Sequence, residues 1–220
     1  MKILALEFSS RERSVAVVQG SPGGVAVESV QEAVETGGRA AHAFAMIDDV
    51  LRQANLEREQ IECVAVGIGP GSYTGIRMGI SLAQGWQLAR GVKLLGISSV
   101  DCLLAQAIDD GITGQVQFVI DAQRGEFYLA TAELAGGRAI HTEALRLVAR
   151  SEVTNNSKAL LIGPEVIDQF KTGKLMYPRA ATIGTLALRR TEFVAGEKLE
   201  PIYLREPQFV KAPPPRVLPT

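Results

Sequence analysis

The run Gly67-Ile68-Gly69-Pro70-Gly71-Ser72-Tyr73-Thr74-Gly75-Ile76-Arg77 is the densest concentration of residues that could do chemistry. Glycines after a buried strand and before a helix let backbone N–H groups approach an anion at the helix N-terminus. A P-loop is excluded, because no Lys-Ser/Thr pair follows the glycines. A dinucleotide fingerprint is excluded too, since Thr74 stands where its third glycine belongs. Two readings remain: phosphate contact around Gly69 and Gly71, or a tight turn forced by helix–strand packing.

Two acids come next. Glu7 closes the first apolar run and Asp121 closes another near the middle of the chain. Carboxylates at the ends of central strands are where two-lobed kinase-like folds hold a Mg-nucleotide, although solvent-facing acids are common there as well. Hydrolytic chemistry finds less support. His42 and His141 are the only histidines, no His-Glu-x-x-His occurs, and no Gly-x-Ser-x-Gly marks a nucleophile elbow.

The elements that position these residues follow from periodicity. Lys2–Phe8 reads as a strand buried on both faces, Arg13–Gln19 and Val25–Gln31 as its antiparallel neighbours. A helix over about Arg39–Ala54 turns Ala40, Ala43, Phe44, Ile47, Val50, Leu51 and Ala54 inward. A strand over Ile61–Ile68 leads through the glycine run into a helix over Tyr73–Arg90, closed by Gly91. A strand over Val92–Ile97 and a helix from Ser98 or Ser99 to Asp109 complete the first half. A meander followed by βαβ crossovers predicts a mixed sheet with helices on it.

The second half is looser. Strands are expected over Gln115–Asp121, Gly125–Leu134, Ile140–Val148 and Ala159–Ile162, with helical turns over Pro164–Phe170 and a helix over Thr182–Thr191. The division falls near residue 100, giving lobes of 1–99 and 100–220, and the second reads as an eroded copy of the first. From about residue 211 the tail Lys211-Ala212-Pro213-Pro214-Pro215 suits neither helix nor central strand.

The helix over Tyr73–Arg90 has two apolar sides. Ile76, Ile80 and Ala83 form one, which is expected to meet the sheet. Gly75, Gly79, Leu82 and Trp86 form the other. Interior glycines cost about 1 kcal/mol each in a helix, so the second side is expected to admit a partner helix. Ala41, Ala45 and Met46 of the preceding helix would complete that surface, with His42 at its rim.

Composition bounds the function classes. The 220 residues are 46% hydrophobic and 21% charged, which is globular usage with ample apolar surface to bury. A net charge of −1 supplies no sequence-wide field toward nucleic acid or an anionic membrane. No apolar run approaches the roughly 18 residues of a membrane helix. The N-terminal apolar stretch is broken by Glu7, too early for a secretory core. Cys63 and Cys102 read as buried thiols in a reducing compartment, so a cytoplasmic location is expected.

Several segments together resemble one family. They are Lys2-Ile3-Leu4-Ala5-Leu6-Glu7-Phe8-Ser9-Ser10, Gly69-Pro70-Gly71-Ser72-Tyr73-Thr74-Gly75-Ile76-Arg77-Met78-Gly79, Leu95-Gly96-Ile97-Ser98-Ser99, Ile120-Asp121-Ala122-Gln123-Arg124-Gly125-Glu126-Phe127-Tyr128 and Pro201-Ile202-Tyr203-Leu204-Arg205. In this order, over residues 1 to about 206, they resemble the TsaB (YeaZ) family of bacterial tRNA threonylcarbamoyladenosine biosynthesis. The resemblance implies an α/β fold of the ASKHA (actin/hexokinase-like) type. It has two lobes of mixed sheet flanked by helices, the second reduced.

The resemblance also implies a non-catalytic partner and scaffold for the related threonylcarbamoyl transferase TsaD. The ATPase TsaE joins the larger complex and TsaC supplies the threonylcarbamoyl adenylate. A homodimer is expected for the chain alone, tRNA contact only through the complex, and no membrane association. The metal-binding His-x-x-x-His of the catalytic relative falls here on Ser99 and Leu103, and leucine cannot ligate a metal. The relative's Ser-Gly-Gly-His nucleotide loop falls on Asp121-Ala122-Gln123-Arg124. A vestigial nucleotide site is therefore expected at Glu7, Ser9, Gly69, Gly71 and Asp121, with ATP or ADP held only in the assembled complex. Relatives commonly end the first strand in Asp, where this chain has Glu7 followed by Phe8. The competing readings are a free-standing ATP-binding enzyme of the same fold and a peptidase-like hydrolase.

Overall fold

The computed structural model describes residues 1–21, 26–37, 42–154 and 158–205. The first sheet is built from β1 (Lys2–Glu7), β2 (Glu12–Gly20), β3 (Val27–Thr36), β4 (Cys63–Gly67) and β5 (Lys93–Ile97), in the order β3-β2-β1-β4-β5. β1 runs antiparallel to β2 and parallel to β4, which is parallel to β5. Strand alternation sorts the apolar run of β1 onto two faces. Leu4 and Leu6, joined by Phe8, face a core shared with α1 (Ala43–Gln53) and α2 (Tyr73–Arg90). Ile3 and Ala5 face the opposite core, under α6 (Ala180–Leu188).

That second face carries small residues: Ala5, Ala16 and Ala65 on the strands and Gly184 on the helix. They let α6 lie close, and a Cβ at Gly184 would come 3.0 Å from the Val18 Cβ. Arg179 ties the start of α6 to β2 and β3 through Glu12 at 3.3 Å and Glu32 at 2.7 Å.

α3 (Ser99–Asp109) passes between the sheets. Its Cys102 joins the core under α6, while Val100, Leu103 and Ala107 cover the second sheet. That sheet contains β6 (Gly114–Asp121), β7 (Glu126–Ala135), β8 (Arg138–Thr142), β9 (Arg146–Ala149), β10 (Leu160–Gly163) and β11 (Lys174–Leu175). Its order is β11-β10-β6-β7-β8, with β9 also on β7. β6 is antiparallel to β7 and parallel to β10, as β1 is to β2 and β4. The duplicated, two-lobed α/β architecture is therefore present. The short helices α4 (Arg150–Thr154) and α5 (Val166–Phe170) take the outer face of the smaller copy.

Some expectations shift. The single strand over Ile140–Val148 is two strands, because the chain breaks between Thr142 and Arg146 and both pieces pair with β7. β3 extends to Thr36, and α4 and β11 carry no periodic signal short enough to read. In α1, Phe44 is exposed and Met46 is buried, the reverse of the expected assignment. The largest difference concerns residues 180–199, which the division near residue 100 puts in the second lobe. They pack on the first: α6 covers its sheet, Val194 bridges Leu94, and Leu199 joins the core of α1 and α2. Residues 22–25, between the second and third strands, and the tail from 211 lie outside the described residues.

Candidate functional site

A cleft of about 1290 Å³ opens where the ends of β1 and β6 face each other. The β1–β2 turn contributes Ser9, Ser10 and Arg11, and the loop before α2 contributes Gly71 and Ser72. The β6–β7 turn contributes Asp121 and Arg124, and the loop after β10 contributes Glu165. Arg11 crosses from the first lobe to the second, donating from Nε to the Tyr177 hydroxyl at 2.6 Å and pairing with Asp168 at 3.1 Å.

Three of the five residues expected around a nucleotide line this cleft: Ser9, Gly71 and Asp121. The other two do not. Glu7 is fully buried behind the cleft floor. Its Oε1 accepts the Ser9 N–H at 2.7 Å and its Oε2 accepts the Ser99 hydroxyl at 2.9 Å. Burial raises its pKa, against the pull of hydrogen bonding from the Ser9 side chain and backbone and from Ser99. One extra methylene relative to Asp carries the carboxyl inward to the start of α3. Gly69 is also buried, and its carbonyl accepts the Ser99 N–H at 2.8 Å.

The glycines before and within α2 are used for packing. A Cβ at Gly71 would sit 3.0 Å from the Ser9 carbonyl carbon and overlap its oxygen; a Cβ at Gly75 would do the same to Phe8. The Ser72 N–H donates to the Ser9 carbonyl at 2.6 Å, and the Ser72 hydroxyl caps Gly75. The tight-turn reading accounts for this loop.

Asp121 folds back on its own turn, accepting the Gln123 N–H at 2.7 Å and the Gln123 side-chain amide at 3.2 Å. Gln123 and Arg124 both take left-handed backbone, with φ of 64° and 60°. Such residues cost on the order of 1 kcal/mol each.

Glu165 was missed by sequence reasoning. Its Oε2 is buried with no hydrogen-bond partner among the described residues. Burial, then the neighbouring Asp121 and Asp168 carboxylates, push its pKa up to about 7 against the pull of an Asp121 backbone hydrogen bond and of Arg11. A signal for it exists. A Gly-Pro pair stands at the end of β10 (Gly163-Pro164) and another just after β4 (Gly69-Pro70), corresponding strands of the two copies.

Ser99 and Leu103, where the resemblance leads one to expect the counterparts of a catalytic relative's metal ligands, are engaged in packing. Ser99 is fully buried against Glu7, and Leu103 lies in the core of the second sheet. Among the described residues, no three His, Cys, Asp or Glu side chains are grouped to hold a metal. Both thiols are buried, and desolvation pushes Cys63 up to about 12.

The surface expected on α2 needs correction. Gly75 and Gly79 face inward: a Cβ at Gly79 would lie 3.2 Å from Val66 and 3.5 Å from Phe8. Leu82 and Trp86 are half-buried against the same core, and Met46 is buried in it. Phe8 is buried there as well. The sheet is thus met by both apolar sides of α2, because glycine on one side lets the helix settle low enough for the other. The exposed side carries Thr74, Ser81, Gly85 and Leu88, with open space at Gly85 and Leu88 91% exposed. On α1, Phe44 and Ala45 are exposed, as is the N-cap His42, which faces Glu35 at 3.0 Å. Ala41 lies outside the described residues. No helix among the described residues is long and apolar enough to cross a membrane.

Comparison with known proteins adds a second line. The sequence family of TsaD, tRNA N6-adenosine threonylcarbamoyltransferase, matches residues 30–200. The tRNA threonylcarbamoyladenosine biosynthesis protein TsaB of Escherichia coli (strain K12) is 27% identical over 179 residues, 73% of this chain and 78% of that protein. The protein of the same name from Bacillus subtilis (strain 168) is 24% identical over 137 residues, 62% of this chain and 57% of its own. The structure of YeaZ from Pseudomonas aeruginosa superposes with a TM-score of 0.76 at 24% identity, covering 92% of this chain and 99% of that one. That likeness establishes a shared fold.

Proposed function

This chain belongs to the TsaB (YeaZ) family, within the wider TsaD-like family, and we propose that it serves tRNA threonylcarbamoyladenosine biosynthesis as a non-catalytic partner of TsaD. The observation that carries the reading is the fate of the metal positions. Ser99 gives its hydroxyl to buried Glu7, and Leu103 is core. A divalent metal finds no oxygen or nitrogen donor there that is free to turn toward it.

The outer side of α1 and α2 supports the partner role. Phe44 and Leu88 expose large apolar surface, and Ser81 and Gly85 are small enough for another helix to approach closely. This face replaces the inward-facing glycine edge as the docking surface. A homodimer of the isolated chain would use the same face, since an exposed apolar patch gains by covering itself.

The test is co-purification with TsaD from the same organism, followed by a threonylcarbamoyl-transfer assay. TsaD with this chain is expected to modify tRNA, and this chain alone to be inactive. Ser81→Glu with Leu88→Glu should abolish association while leaving the thermal transition unchanged. Association that survives both substitutions would remove the docking face, and turnover by the isolated chain would remove the non-catalytic role.

A further inference from the structure

The cleft concentrates positive charge in a chain whose net charge is −1. Five arginines line it, against the two carboxylates of Asp121 and Glu165. Arg11 and Arg205 are paired within the chain, to Asp168 and Glu126. Arg13, Arg77 and Arg124 have no carboxylate partner among the described residues, and they stand on three different walls: β2, α2 and the β6–β7 turn. The carboxylates are outnumbered: Asp121 accepts hydrogen bonds from its own turn, and burial raises the Glu165 carboxyl to about 7.

The aromatic residues of the rim complete the pattern. Tyr73 and Tyr203 form a pair with centroids 5.8 Å apart, and both rings are about half exposed. The Arg77 guanidinium lies 4.6 Å over Tyr73 and donates to the Tyr203 hydroxyl at 3.0 Å. A glycine-loop phosphate site needs open backbone, but the open sides of Gly71 and Gly75 are taken by the Ser9 and Phe8 carbonyls. Arginines spread over separate walls with an exposed aromatic pair instead suit successive phosphates and stacked bases.

We propose that this cleft binds a short single-stranded RNA segment, Arg13 and Arg124 contacting its phosphates and the Tyr73–Tyr203 pair stacking a base. The proposal rests on the tRNA-modification reading above and adds a direct RNA contact made by this chain.

The experiment uses the full chain and a fluorescently labelled octaribonucleotide, with anisotropy followed against salt. Binding by the chain alone is expected in the micromolar range or weaker at physiological salt. Arg13→Glu and Arg124→Glu should each lower affinity about tenfold, and each should reduce the salt slope by about 0.7, the value of one single-strand phosphate contact. Tyr203→Leu should cost at least about fivefold and leave the slope unchanged.

Unlabelled ATP at equal nucleotide concentration and polyglutamate of equal charge should both compete poorly. The inference is overturned if the charge reversals leave binding unchanged, if ATP displaces the RNA efficiently, or if polyglutamate competes equally well. The same variants are tested for TsaD capture, which they should preserve, since neither arginine lies on the exposed side of α1 or α2. Loss of TsaD capture by the unsubstituted chain would strike the partner reading. Intact capture without RNA binding would strike this inference alone.

Discussion

Gly67 and Glu7 share one space: a Cβ on Gly67 would lie 2.5 Å from the carboxyl carbon of Glu7 and overlap its nearer oxygen. The carboxyl has nowhere else to go, since both its oxygens are engaged by Ser9 and Ser99. Glu7 is thus a structural link from β1 to the start of α3. Gly67 is the vacancy that admits it.

Gly67→Ala is therefore expected to destabilise the chain by about 1–3 kcal/mol through overpacking. Glu7→Asp alone should also cost stability, because the shorter side chain releases the Ser99 hydroxyl into a buried site. The double variant should be less destabilised than the sum, with coupling of about 0.5–3 kcal/mol. Urea unfolding of the four proteins measures the cycle, and additive losses would show that the two residues do not share the space.

The glycines of α2 divide by their surroundings. Gly79→Leu should destabilise the monomer by roughly 1–3 kcal/mol, since its side chain would enter the contact with Val66 and Phe8. Gly85→Ala should stabilise it by about 0.5–1 kcal/mol, because Gly85 faces open space in a helix interior. Thermal unfolding of both variants reads the difference in sign. Equal effects would mean that the two glycines see the same environment.

Much of this was legible in the residues. The apolar run of β1, the Ser98 and Gly91 caps of α3 and α2 and the buried character of β4 and β5 are local signals, and the strands of the second copy were placed by similar runs. The face of α2 was not legible. Periodicity shows that two sides are apolar, but not that glycine lets both reach the sheet. The inward turn of Glu7 is hidden for a related reason: a strand-end acid looks the same in sequence whether it points outward or into a space left by Gly67. Residues 180–199 return to the first lobe because Ala5, Ala16 and Ala65 leave room for α6, a long-range fit with no local trace.

Glu165 sets a pH dependence whose sign follows from its surroundings. Its carboxyl titrates at about 7 in the fold against an ordinary 4.5, raised by burial and by Asp121 and Asp168, with Arg11 opposing. Between those values the folded chain keeps a proton that the unfolded chain has lost. Unfolding then releases a proton, so this group lowers stability progressively as pH rises from about 4.5 to about 7. The full penalty, on the order of 3 kcal/mol, is present above that range. Glu165→Gln keeps the shape and removes the titration. The variant should match the parent near pH 4.5 and be more stable at pH 8, and urea unfolding across that interval measures the difference. An identical pH profile for the two proteins would show that Glu165 ionises in the fold without cost.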